Sequence, residues 1–178
     1  MKEVLGAMNI PIYECEGWEA DDILGRAGEI CAREGEDCVI VTGDRDSLQL
    51  VTDRVTVKLV TSKSGQTITT NYTPDVFRAE YGFDPVRLVD LKSLMGDSSD
   101  NIPGVAGIGP KTATGLLLEY GTLDGIYEHL PEIKESVRKK LEKDREQAYL
   151  SYDLATIRKN APVDFIPERN LVREANND

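Results

Sequence analysis

Hydrophobic positions change period along the chain, and that change divides it. Val4, Leu5 and Met8 recur at helical spacing until Pro11 stops them. Ile10-Pro-Ile-Tyr13 then reads as a short edge-type strand, the one sheet position where proline is tolerated. From Trp18 to about Arg33, Ile23, Leu24, Ala27, Ile30 and Cys31 fall on one face, which predicts an amphipathic helix ended by Gly35. Cys38-Val-Ile-Val-Thr42 is a continuous apolar run before a Gly-Asp turn, the pattern of a parallel strand buried on both faces. Ser47–Leu50 starts a short helix. Val55–Val60 and Thr67–Thr69 alternate as a hairpin around Ser64-Gly65. After Pro74 every pattern is helical: 74–81, 85–95, 110–120, 122–129, 131–142 and 144–157. The polar tail from Pro162, with two prolines, is expected to lie along the surface or fray.

The resulting fold class is α/β, a parallel-type sheet flanked by helices, followed by a helical subdomain. The expected divisions are 1–73 for the α/β part, 74–165 for the helical part and 166–178 for a tail. An open α/β sheet ordinarily begins with a central strand. This chain begins with a helix and an edge-like strand, so it reads as the later part of such a fold.

Composition narrows the classes. In 178 residues, 40% are hydrophobic and 30% charged, enough apolar material for a sizeable core. No apolar run reaches the roughly 18 residues of a membrane span, and Met1-Lys-Glu3 does not open a signal peptide. Cys15, Cys31 and Cys38 are odd in number and form no C-x-x-C pair, which argues against a disulfide framework or zinc knuckle and for a reducing cytoplasm. The net charge is −11, unevenly placed: residues 1–100 hold 10 basic and 19 acidic side chains, and residues 101–178 hold 11 and 13. Solubility accounts for such a surplus in most acidic proteins, and a gathering of N-terminal carboxylates for cations is the sharper reading of its skew; charge alone does not choose between them.

Three carboxylate clusters carry the candidate chemistry. Glu19-Ala-Asp21-Asp22 opens a helix, where the dipole welcomes one or two acids, and Glu19 and Asp22 share a face. Asp44 and Asp46 follow the apolar strand, at the strand end where open parallel sheets bind ligands, and point the same way in extended chain. Asp97 and Asp100 share a face in Gly96-Asp-Ser-Ser-Asp-Asn101. Seven carboxylates brought together would repel without cations. Oxygen donors with no nearby His or Cys suit Mg²⁺ or Mn²⁺, and two such ions about 4 Å apart activate water at a phosphodiester. Arg45, between two of these acids, either touches phosphate or offsets their charge.

Residues 101–113 (Asn-Ile-Pro-Gly-Val-Ala-Gly-Ile-Gly-Pro-Lys-Thr-Ala) put Gly107, Ile108 and Gly109 in a tight turn before a helix, with Lys111 and Thr112 at its start. Glycines let backbone approach a ligand, and the free N–H groups of a helix start suit phosphate. This resembles a helix-hairpin-helix, which grips DNA backbone without reading bases. A P-loop match from Gly104 to Thr112 fails by one residue, with Pro110 intervening and no strand before it. His129 is the only histidine, so a Ser-His-Asp triad has no second candidate base, and a surface role is expected.

In order and spacing, Glu19-Ala-Asp-Asp22, Val41-Thr-Gly-Asp-Arg-Asp46 and the run Leu94–Gly109 resemble the flap endonuclease family, specifically the 5′-nuclease (5′-3′ exonuclease) domains of bacterial DNA polymerase I. The resemblance spans residues 1 to about 165 and implies a PIN-like core. It implies a two-metal phosphodiesterase that removes nucleotides from 5′ ends and cuts 5′ flaps in replication and repair, in a bacterial, nucleoid-associated setting. Glu19, Asp21 and Asp22 would serve chiefly the first metal, and Asp44, Asp46, Asp97 and Asp100 the second. The 107–112 turn would hold the duplex, around a K⁺ ion. The family's first strand, two further metal-binding aspartates and helical arch have no counterpart in this sequence. The resemblance therefore implies a truncated nuclease, whose missing segment or a polymerase domain would be its partners. The alternative is a non-catalytic helix-hairpin-helix DNA-binding module.

Overall fold

The computed structural model describes residues 1–171. The expected tail therefore lies partly outside the described residues. Its described part includes a 3₁₀ turn at Pro167–Asn170, where the Asn170 amide donates to the Tyr13 hydroxyl at 2.9 Å. The chain begins with α1 (Lys2–Ala7) and α2 (Ala20–Glu34). Gly35 closes α2 in the left-handed region, where a side chain is disfavoured. Ala27, Ile30 and Cys31 are buried on its inner face. A Cβ at Gly28 would stand 3.3 Å from Val55, so α2 lies close against the sheet.

Three strands follow, β1 (Cys38–Thr42), β2 (Val55–Lys63) and β3 (Gln66–Tyr72), in the order β1-β2-β3. β1 pairs with β2 in parallel, Cys38 opposite Val55, and β2 pairs with β3 antiparallel, Lys63 opposite Gln66. The sheet is therefore mixed. Ser64 and Gly65 both take positive φ (52° and 77°), as a two-residue hairpin that follows the twist of its strands demands. Val55, Val57 and Leu59 alternate into the core.

Two local expectations are corrected. Residues 10–13 form no strand: the segment pairs with no other strand, Pro11 lacks a donor, and Tyr13 instead packs on Phe165 with ring centroids 5.3 Å apart. β1 is not buried on both faces. Ile40 is 3% exposed, but Val39 and Val41 are 61% and 62% exposed, because β1 is an edge strand covered on the Ile40 side alone among the described residues.

Among the described residues the α-helices that follow are α3 (Pro74–Tyr81), α4 (Leu88–Met95), α5 (Pro110–Tyr120), α6 (Leu123–Glu128), α7 (Glu135–Lys143) and α8 (Arg145–Ala155). Thr73 caps α3 by accepting from the Val76 amide, with Pro74 in the first turn. One hydrophobic cluster runs from Ile40 and Val57 in the sheet through Phe77, Leu94 and Leu117 to Leu141 and Ala148. α4 sits at the junction, against α5, α8 and the 3₁₀ turn Arg45–Leu50 that leaves β1. Buried Gln49 ties that turn to the end of α8, donating to the Ala155 carbonyl and accepting from the Ile157 amide, both at 3.0 Å.

Candidate active site

The site forms where β1 ends and α4 ends. Asp44 caps the 3₁₀ turn, its Oδ1 accepting from the Asp46 amide at 2.9 Å, so the Asp44 side chain holds the backbone that aims Asp46. On the other side, α4 stops at Gly96 (φ 72°), and Asp97 and Ile102 exchange two backbone hydrogen bonds of 2.8 Å. The turn between them is pinched shut. A Cβ on Gly104 (φ 64°) would lie 2.2 Å from the Gly96 nitrogen, so only glycine allows the two backbones to pass this closely. That closure sets Asp97 and Asp100 on one side, facing Asp46.

The carboxylate oxygens of Asp46, Asp97 and Asp100 lie within 4.8 Å of one another, the only such grouping among the described residues. In their midst stands Lys92, a position sequence reasoning passed over. Its Nζ is 2.8 Å from Asp97 and 3.6 Å from Asp100, and it also pairs with Asp46. A signal was present: Lys92 falls at an apolar position of α4, between Leu88 and Leu91 on one side and Met95 on the other.

The charges respond to this packing. Lys92 and the Ser99 hydroxyl bonded to Asp97 hold its carboxyl down at about 2. Burial pushes Asp46 upward, with help from Asp44 and Asp100, and Lys92 only partly opposes it. Burial works against the Lys92 ammonium, but Asp46 and Asp97 together outweigh it and raise its pKa. Asp21 is raised first by burial and next by the charge of Asp44, against a 3.4 Å hydrogen bond from Ser47. The acids thus form a connected field from the start of α2 to the 97–100 turn.

The first cluster is arranged differently. Glu19 and Asp22 make a reciprocal capping box, with the Glu19 amide donating to Asp22 Oδ2 at 3.2 Å. Asp22 Oδ1 accepts from the Arg158 amide at 2.8 Å. Asp22 therefore closes α2 onto the segment after α8, and Glu19 is exposed at the rim. Glu19, Asp21 and Asp22 do not form a three-ligand grouping of their own among the described residues. Arg45 turns away from the acids, its guanidinium 2.7 Å from both Glu80 and the Tyr81 hydroxyl.

The 104–109 turn after the acidic cluster is built against α7 and α8. The Gly104 amide donates to Ser151 at 2.9 Å, the Ala106 amide to Asp144 at 2.9 Å, and Lys140 Nζ to the Gly107 carbonyl at 3.0 Å. Ile108 is buried at 4% and anchors the turn. Gly107, Gly109 and Lys111 are exposed and Thr112 is half-buried, at an α5 start that no side chain caps. His129 is exposed and stacks on Tyr120.

Residues 1–82 match the family description "5′-3′ exonuclease, N-terminal resolvase-like domain", and residues 83–178 match "5′-3′ exonuclease, C-terminal SAM fold". The chain belongs to the 5′-3′ exonuclease family. A DNA polymerase I from Caldicellulosiruptor bescii is 46% identical over 99% of this chain, which spans 21% of that relative's length. Among solved structures, the 5′-exonuclease of bacteriophage T5 with bound divalent metal (zinc) is 25% identical with a TM-score of 0.73, covering 85% of this chain and 55% of its own. The catalytic core of Rad2 in complex with DNA substrate shares the fold at a TM-score of 0.57 and 20% identity, covering 90% of this chain and 56% of its own. The mixed sheet with its helical continuation is thus the 5′-3′ exonuclease fold. No described helix is long and apolar enough to cross a membrane.

Proposed function

We propose that this chain carries metal-binding and DNA-gripping parts of a divalent-metal 5′-3′ exonuclease and 5′-flap endonuclease acting on DNA in replication and repair. One observation carries the reading: Asp46, Asp97 and Asp100 bring three carboxylate oxygens within 4.8 Å of each other, although Asp46 is 51 residues from Asp97 in sequence. The donor set is all oxygen, which suits Mg²⁺ or Mn²⁺, and the Lys92 ammonium already sits there as a cation. When bound, a pair of such ions supplies an activated water and stabilises the leaving oxygen of a phosphodiester.

The chain's own residues then have separable roles. Asp46, Asp97 and Asp100 hold the second ion, with Asp44 ordering the backbone of Asp46. Asp21, raised by burial and facing Asp44, and Glu19 at the rim serve the first, and Asp22 positions them by capping α2. Gly107, Gly109, Lys111 and Thr112 present backbone N–H groups and one ammonium to the duplex backbone, with buried Ile108 as anchor. A K⁺ ion around the 107–112 turn would be held by backbone carbonyls there, of which that of Gly107 accepts from Lys140 at 3.0 Å. The DNA polymerase I relatives are several times longer than this chain, so a polymerase region is the proposed partner, and the proposed setting is the bacterial nucleoid.

A second reading, a DNA-binding module without cleavage, is favoured by the first cluster, where Asp22 is committed to backbone amides. A 5′-flap substrate in Mg²⁺ separates the two. Cleavage that Asp97→Asn removes, with duplex binding kept, supports the nuclease; duplex binding without cleavage, even when the family's preceding segment is added, supports the module.

A further inference from the structure

Lys92 sits among the three carboxylates proposed as metal ligands. It projects from α4 into the acidic grouping and is 7% exposed, and its ammonium meets Asp46, Asp97 and Asp100, contributed by two separate stretches of chain. A buried ammonium is found where its charge is answered, and here three carboxylates answer it. The reverse also holds: without Lys92, three half-buried to exposed carboxylates would face each other with no cation between them.

We propose that Lys92 is a tethered counter-cation that holds Asp46, Asp97 and Asp100 together in the metal-free protein and is displaced from them when a divalent ion binds. The inference rests on the reading of these acids as metal ligands. The physical logic is competition for lone pairs. Asp97 gives one oxygen to the Ser99 amide and hydroxyl and the other to Lys92, so an ion can take that second oxygen only if the ammonium leaves it. Asp46 likewise directs an oxygen to Lys92. Lysine suits the task because its flexible four-carbon stem lets the charged end swing aside while the stem stays packed. The grouping is thus pre-assembled before metal arrives, at the expense of part of the metal's affinity.

The test is Mn²⁺ titration of the whole chain, read as free-ion electron paramagnetic resonance, with thermal unfolding alongside. Lys92→Met keeps the stem and removes the charge. It is expected to tighten Mn²⁺ binding by about ten-fold or more, the factor set by charge-assisted hydrogen bonds that no longer have to be broken. The metal-free variant is expected to melt below the wild type, and saturating Mn²⁺ to close that gap. Lys92→Gln, which keeps hydrogen-bond donors without charge, replaces it if the methionine variant does not fold. If the wild type binds Mn²⁺ and both variants bind equally or more weakly, the counter-cation role is overturned while the metal site stands. If neither wild type nor variants bind Mn²⁺, the metal-site reading itself fails.

Discussion

Gly104→Ala tests how the fold makes the site, because it alters no ligand. Gly104 has φ 64°, and a Cβ there would lie 2.2 Å from the Gly96 nitrogen and 2.6 Å from its Cα. These are backbone atoms, so no side chain can rotate to relieve the clash and the 96–104 loop must open. Alanine in left-handed backbone costs about 1 kcal/mol by itself. Opening adds the loss of the two bonds between Asp97 and Ile102 and the bond from Gly104 to buried Ser151. At about 1 kcal/mol for each hydrogen bond, the total is about 3–4 kcal/mol, a large share of the roughly 5–15 kcal/mol of a typical domain. Urea unfolding monitored by circular dichroism measures the loss, and Mn²⁺ titration should show weaker binding because Asp97 and Asp100 no longer face Asp46. Gly109→Ala is the control: nothing lies within 4 Å of its added Cβ and its φ is −94°. A Gly104→Ala loss below about 1 kcal/mol would refute the claim that this close approach builds the site.

Three further outcomes follow from particular contacts. Asp97 has a folded pKa of about 2, below its unfolded value, so its contribution to stability is present above about pH 4 and is lost as pH falls through about 2. Acid titration of the unfolding free energy should show that loss, and Asp97→Asn should flatten the curve in this window. Arg45→Met removes a half-exposed ion pair with Glu80 and stacking on Tyr72 and Tyr81, and is expected to lower stability by about 1–2 kcal/mol. The salt dependence of duplex binding should not change in that variant; a slope reduced by about one would instead place Arg45 on a phosphate. Lys111→Ala should weaken duplex binding evenly across sequences and reduce the same slope by about one, as measured by fluorescence anisotropy over a salt series.

The legible parts of this protein are those governed by neighbours in sequence. Gly35 ends α2 in left-handed conformation, Pro74 stands at the start of α3, and Ser64-Gly65 turns the hairpin, at the residues a pattern reading selects. The acidic motifs were equally plain, since Asp44 after an apolar strand and Asp97 after a helix-ending glycine are local signals. What escaped was decided at a distance. The 10–13 segment has the residues of a strand, but a strand needs a partner, and Tyr13 pairs with Phe165 instead. Val39 and Val41 read as buried because apolar runs in parallel sheets usually are, yet burial depends on which elements pack over them. Asp22 reads as one more ligand candidate; its bond from the Glu19 amide is local, but its second backbone amide comes from Arg158, 136 residues later. Lys92 shows the same limit, because a lysine at an apolar helix position signals a buried partner, but the partner Asp46 lies 46 residues away.

The most direct measurement of the central claim is Mn²⁺ affinity in the wild type and in an Asp46→Asn, Asp97→Asn double variant, each checked for folding by circular dichroism. The two asparagines keep the shape and hydrogen-bonding capacity of the site while removing two of its three converging charges. Convergence of these acids on one ion requires binding in the wild type and its loss, or weakening by at least about a hundred-fold, in the folded double variant. Equal Mn²⁺ affinity in the two proteins would contradict it.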